Sequence, residues 1–156
     1  MAVKFVENLS KVYRYILEIK EKNLITLREE IKCYDAYEFL LKIRFGENIN
    51  FVKTGFNEYK NQYIVPSSIQ LLIENAVKHN IISKANPLTI SIIADDDFVT
   101  VKNNLQLKNT IDPSTKTGLK NIQKRYELLN HSKIEIIENN TEFIVKLPLI
   151  NIKQAL

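Results

Sequence analysis

The sequence predicts an α+β fold: a two-layer sandwich in which a mixed, mostly antiparallel sheet is covered on one face by helices. Three observations predict it. Apolar residues recur at helical spacing through the first 45 residues and again across residues 69–77. The period then falls to two in "PLTISIIA", "FVTVKN", "KIEII" and "EFIVKLPL". These alternating runs are joined in pairs by short polar turns, so the strands come as hairpins.

The first element is a helix from Ala2 to about Lys22. Phe5, Leu9, Val12, Ile16 and Ile19 form a heptad seam along it, narrower than the stripe a globular core usually presents. The seam could pack on its own domain. Its regularity favours half of a helical hairpin or dimerisation bundle. A break at "KNL" precedes a second helix. Thr26 as N-cap and Glu29 three residues on make a capping box. Leu27, Ile31, Tyr34, Leu41 and Phe45 share a face that Glu38 interrupts, and Gly46 ends the helix.

After Gly46 the pattern changes. Ile49, Phe51 and the Tyr63–Val65 run suggest short strands. Ser67 and Gln70 suggest a second capping box, opening the helix "VPSSIQLLIENAVKHN". Ile69, Leu72, Ile73, Ala76 and Val77 give that helix its apolar stripe. Asp95, Asp96 and Asp97 sit at a hairpin tip, where turn chemistry accounts for them without a metal. A polar loop, "LQLKNTIDPSTKT", leads to Gly118, which opens a helix whose apolar face is Leu119, Ile122, Tyr126 and Leu129. The last hairpin turns at Asn139-Asn140. The chain divides into a helical segment, 1–46, and a mixed domain, 47–156.

Composition narrows the function classes. With 45% hydrophobic and 26% charged residues, the 156 residues suit a soluble globular domain. No run approaches the ~18 apolar residues of a membrane span, and no signal peptide is visible, so the expected compartment is the cytoplasm. Net charge is +4, but the basic residues are scattered and do not form a nucleic-acid stripe. The single cysteine, Cys33, excludes an internal disulfide and a thiolate zinc site. Among apolar neighbours on a helix it reads as an inert core thiol. His131, in a polar loop, reads as a surface residue.

Two constellations could carry chemistry. At ~100° per residue, Glu74, Asn75 and Lys78 lie opposite the apolar stripe, with His79 beside them. A solvated face with one i, i+4 ion pair would explain them. They also suit a metal and a phosphate. Asn75 could offer its carbonyl oxygen to a magnesium ion, Lys78 could reach a phosphate, and Glu74 could accept a proton or order a water. A hard cation that keeps most of its waters needs only one or two protein oxygens. The second constellation is "TKTGLKNIQKR", a polar loop running into a helix at Gly118. Free amides in a first helical turn make an anion site, although a glycine there also means simply a tight turn.

Taken together, Glu-Asn-Ala-x-Lys-His at residues 74–79, "VKNN", a flexible loop and Thr117-Gly118-Leu119 at this distance resemble the ATP-binding catalytic domain of sensor histidine kinases. The wider group includes gyrase and MutL. The closest likeness is to the LytS-like branch, and "LSKVYRYIL", "LKIRFG", "GLKNIQKRYELL" and "FIVKLPL" extend it over nearly the whole chain. The resemblance implies a Bergerat-type ATP-binding fold and ATP and magnesium as ligands. It implies Asn75 at the metal position, Glu74 as the catalytic acidic partner, and Lys78 and His79 along the nucleotide. Asn103 and Asn104 stand where the family has Asp-x-Gly at the adenine, with Leu105 in place of the glycine. Thr117, Gly118 and Leu119 form the phosphate-side turn, and Leu105 to Lys116 form a lid. The implied activity is transfer of the ATP γ-phosphoryl group to a histidine upstream of this fragment, then to a response regulator. The first helix would be the second arm of a dimerisation hairpin, making the partner a second copy of the chain; neither nucleic acid nor direct membrane contact is implied. The altered Asn103-Asn104-Leu105 run leaves open a degenerate, non-catalytic module that serves dimerisation or signal relay.

Overall fold

A computed structural model of the chain describes residues 1–109, 114–130 and 132–152. The elements run α1 (Ala2–Glu18), β1 (Ile25–Thr26), α2 (Leu27–Phe45), β2 (Ile49–Thr54), the single turn α3 (Phe56–Tyr59), β3 (Tyr63–Ile64), α4 (Ser68–His79), β4 (Leu88–Ala94), β5 (Phe98–Asn104), α5 (Ser114–Asn130), β6 (Glu135–Glu138) and β7 (Glu142–Pro148). Five strands form one sheet in the order β2-β4-β5-β7-β6. All its pairs are antiparallel except β2–β4. That parallel pair follows from its connection, since α3, β3 and α4 intervene and supply the crossover that parallel strands need. A separate short ribbon pairs β1 with β3. The mixed, mostly antiparallel sheet of the α+β class is as expected.

One sheet face is the core. Leu88, Ile90, Ile92 and Ala94 of β4 point inward, with Val99 and Val101 of β5 and Val145 and Leu147 of β7. Register sets Val101 between Ile92 and Val145, so the inward residues form continuous rows across three strands. Ile69, Leu72, Ile73 and Ala76 of α4 and Ile122 and Tyr126 of α5 join the same core. Each fully buried isoleucine or leucine contributes roughly 1.5–3 kcal/mol, and this layer of contacts holds α4 on the sheet. The helical segment shares the core too, because α2 packs against α4 and Val12, Tyr15, Leu27, Tyr34 and Leu41 belong to the same cluster.

Helix α2 is capped as its sequence predicts. The Glu29 amide donates to Thr26 Oγ1 at 3.3 Å, and the Thr26 amide donates to Glu29 Oε2 at 2.8 Å. At the other end Gly46 takes φ 58°, a backbone state that suits glycine. The acidic hairpin tip is a turn, in which Asp95 Oδ1 accepts from the amides of Asp97 and Phe98 at 3.0 and 2.8 Å.

Four expectations are corrected. Helix α1 stops at Glu18, short of Lys22. Its contact stripe is Val12, Tyr15 and Ile19, while Phe5 and Ile16 of the expected seam stay exposed. Packing on the single neighbour α2 needs only a narrow strip. The Ser67–Gln70 capping box does not form: Ser67 lies in the left-handed region at φ 60°, its side chain makes no cap bond, and the Gln70 side chain donates to Glu74 instead. A buried carboxylate from α2 takes the cap's place, as described below. Finally, α5 begins at Ser114, so Gly118 lies one turn inside the helix and does not open it.

Candidate functional site

Helix α4 has three faces, fixed by its 3.6-residue period. Ile69, Leu72, Ile73 and Ala76 face the sheet and are buried. Gln70, Glu74 and Val77 face α2. There the Cys33 thiol meets Gln70 Oε1 at 3.5 Å and Gln70 Nε2 donates to Glu74 Oε1 at 3.0 Å. Leu71 faces α5. A β-carbon placed on Gly118 would come within 2.8 Å of Leu71 Cδ1, so the absent side chain is what lets α5 approach α4 this closely. Asn75 follows Leu71 by one turn, about 6 Å along the helix.

The structure separates the residues that the sequence grouped. Asn75 is half-buried, and its carboxamide has no hydrogen-bond partner among the described residues. Glu74 is exposed and borders a different space. With Lys78 it lines a cleft of about 410 Å³ whose other wall is Tyr37, Arg44 and Phe45 of α2. His79 is half-buried with Nε2 turned inward. Asn103 lies on the core face of β5, in register with Ile90 and Phe143, and is 6% exposed. Its Nδ2 donates to the Asn104 carbonyl at 2.8 Å. Asn104 closes the end of the sheet: Oδ1 accepts from the Thr89 amide at 2.8 Å and Nδ2 donates to the Pro87 carbonyl at 3.1 Å. Thr117 is exposed and Leu119 packs against the core. The open amides of α5 belong to the turn that starts at Ser114, not to Gly118.

Two groups of residues were missed from sequence. The first fastens the expected lid. Asn80 is buried; Oδ1 accepts from the Gln106 amide at 2.8 Å and Nδ2 donates to the Ala76 carbonyl at 2.9 Å. The Ile81 amide donates to Gln106 O, the Lys108 amide donates to His79 O, and the Gln106 side chain donates to Ile81 O and Asn86 O. Residues 105–108 are thus strapped to the end of α4, beside Asn103. Residues 110–113 of the lid, and His131, lie outside the described residues.

The second is Glu30 of α2, 1% exposed. Oε2 accepts from the Ser67 amide and Oε1 from the Ile69 amide, each at 3.0 Å, and Tyr15 donates its hydroxyl to Oε2. Burial raises the Glu30 carboxyl above its ordinary range, while the hydrogen bonds from Tyr15, Ile69 and Ser67 pull the other way. Burial also pushes the Cys33 thiol up to about 12, with the Glu30 and Glu74 charges adding to it, which makes this thiol inert. The signal for Glu30 was present: it interrupts the stripe of Leu27, Tyr34 and Leu41 at heptad spacing.

Comparison with known proteins bears on this site. Residues 1–49 match the family model for histidine kinases. The chain is 29% identical over 90% of its length to the sensor protein LytS of Staphylococcus haemolyticus (strain JCSC1435), of which it spans 27%. It is 27% identical over 94% of its length to the sensor histidine kinase YpdA of Escherichia coli (strain K12), of which it spans 28%. Among solved structures, the histidine kinase domain of the Erythrobacter litoralis EL346 blue-light activated histidine kinase superposes with a TM-score of 0.56 at 14% identity, covering 98% of this chain and 76% of that one. The Acinetobacter baumannii histidine kinase AdeS superposes with a TM-score of 0.50 at 15% identity, covering 94% and 77%. Structural likeness at these identities establishes the fold. The relatives, aligned along nearly the whole chain, are sensor kinases, and this chain is similar to them over its helices and its sheet alike.

Proposed function

We propose that the chain is the ATP-binding catalytic region of a two-component sensor histidine kinase. It holds ATP along α4 and delivers the γ-phosphoryl group to a histidine other than His79 or His131, from which a response regulator takes it. Residues 47–156 carry the nucleotide and residues 1–46 couple it to a second copy of the chain. On this reading the region works on the cytoplasmic side. No helix among the described residues is long and apolar enough to cross a membrane.

The observation that carries this reading is the half-buried Asn75 carboxamide. It has no protein partner among the described residues and stands one turn from the Leu71–Gly118 contact. Its polar atoms are reached by solvent, so they are free to exchange water for a ligand without breaking a hydrogen bond within the described residues. Its carbonyl oxygen fits a magnesium ion, which needs few protein ligands. Bound there, magnesium would neutralise charge on the phosphates. Lys78, one turn beyond Asn75 but lining the cleft on the α2 side, supplies a cation for a phosphate that reaches round the end of α4, and the first turn of α5 supplies open amides. Buried Asn103 offers an oxygen to the adenine amine. Glu74, on the α2 side, acts at the rim where an acceptor side chain would approach.

Calorimetry with a non-hydrolysable ATP analogue tests this. Micromolar, magnesium-dependent affinity is expected, and Asn75→Ala should reduce it. Unchanged binding in that variant would show the site to be misassigned. One observation favours a second reading. Asn104 is fully engaged by Thr89 and Pro87, and a neutral Asn103 lacks the charge assistance an aspartate gives. Millimolar or absent affinity would favour a non-catalytic relay module on the same fold.

A further inference from the structure

We infer that Glu30 is the positioning residue that fixes the amino end of α4, and that Tyr15 makes this position depend on α1. The inference deepens the nucleotide reading, because α4 is the helix that carries Asn75 and Lys78.

Helix α4 begins in an unusual way. Its N-cap, Ser67, is in the left-handed region and is the only described non-glycine residue with positive φ. Its side chain caps nothing. Such a conformation persists only where the surroundings over-determine it. What determines it is the Glu30 carboxylate, reaching from α2 to accept from the Ser67 and Ile69 amides. A carboxylate at a helix amino terminus is favoured by the partial positive charge of the open amides. Among the described residues no salt bridge reaches Glu30. Its buried charge is therefore held by dipoles alone, and each donor counts.

One of those donors belongs to another element. The Tyr15 hydroxyl, on α1, donates to the same Oε2 that takes the Ser67 amide, and that amide also lies 3.2 Å from the Tyr15 oxygen. The remaining close contact of α1 with the core is apolar, through Val12 and Ile19, and apolar contacts tolerate sliding better than a shared oxygen does. A shift of α1 that withdraws Tyr15 leaves Glu30 with too few donors in a dry site. The first turn of α4 must then readjust, and Asn75 and Lys78 move with it. The three-way junction Tyr15–Glu30–Ser67 thus gives the position of the first helix a direct route to the proposed nucleotide helix.

The test is residue-resolved amide hydrogen exchange on the 156-residue chain, paired with calorimetry using the magnesium complex of an ATP analogue. Tyr15→Phe should speed exchange at Ser67 and Ile69 about tenfold, as expected for loss of one charge-assisted hydrogen bond, with protection falling along α4 and unchanged in β4 and β5. Analogue affinity should fall several-fold. Glu30→Gln should by itself speed exchange at Ser67 and Ile69, because its Nε2 donates and cannot accept from either amide, and adding Tyr15→Phe to it should cost little more; merely structural damage would add in full. The inference is overturned if Tyr15→Phe alters exchange only within α1, if protection is lost equally in β4 and β5, or if the Tyr15→Phe and Glu30→Gln losses at Ser67 and Ile69 add in full. Should the unmodified chain bind no nucleotide, the functional reading fails, but the exchange measurements still decide the junction.

Discussion

Asn75 and Glu30 show opposite fates for a polar side chain. Asn75 is left with open hydrogen-bonding capacity among the described residues; Glu30 is enclosed and takes donors from α1 and from the start of α4. Each makes a distinct prediction. Asn75→Ala removes the proposed metal oxygen without removing a hydrogen bond to any of the described residues. Urea unfolding should therefore change by less than about 0.5 kcal/mol, while magnesium-dependent analogue affinity drops about tenfold or more. Glu30→Gln should show a characteristic pH response. Burial lifts the Glu30 carboxyl above its ordinary value of 4.5, so the folded state binds that proton more tightly than the unfolded chain does. Stability from this group is greatest below pH 4.5 and declines as pH rises through the raised value. The Gln variant lacks this titration, so the stability of the unmodified chain relative to it should fall as pH rises above 4.5 in parallel urea titrations. A relative gain with rising pH would mean that the hydrogen bonds outweigh burial.

At the scale of elements, α4 is held at both ends by groups far from it in sequence. Glu30 caps its start, and the 105–108 strap covers its end. Asn80→Ala loses both strap and helix hydrogen bonds and leaves the Gln106 amide without its acceptor. A destabilisation of about 1–3 kcal/mol is expected, with faster exchange at Gln106 and Lys108; unchanged exchange there would show that the backbone pairing suffices alone. Gly118→Ala tests the α4–α5 approach. The new methyl collides with Leu71 Cδ1, but the movable end of a leucine can yield, and alanine gains about 1 kcal/mol in helix propensity. Global stability should therefore change little, whereas analogue affinity falls as α5 is pushed outward, and Leu71→Ala should restore it. These elements were unequally legible in the sequence. The α2 capping box and the β4–β5 and β6–β7 hairpins were readable because their signals are local. The start of α4 was misread because its cap comes from a residue 37 positions earlier. The opening of α5 was misplaced because glycine at 118 serves packing, and the sequence alone cannot distinguish that from a turn.

For the molecule as a whole, the exposed side of α1 is an apolar surface that nothing among the described residues covers. Val3, Val6, Tyr13 and Leu17 are 59–72% exposed and fall within one arc of the helix. A contiguous apolar stripe of this kind rarely stays bare. Sedimentation should show self-association that weakens in Val6→Glu and Leu17→Glu while helix content is retained; a monomer at high concentration would count against α1 as the dimer seam. The stripe lies beside the expected heptad, because α1 spends part of that heptad on α2.

The sequence by itself determined the periods, and through them the helices, the hairpins and the one-faced core, because a side chain's direction follows from its place in a helix or strand. It also carried the likeness that points to Asn75. Tertiary structure decided what stands beside what: Glu74 turned to α2 and Leu71 set against Gly118 of α5, Asn104 spent on the sheet end, and Glu30 placed under α4. Those outcomes depend on contacts between residues far apart in the chain, whose geometry is set only when the helices settle on the sheet.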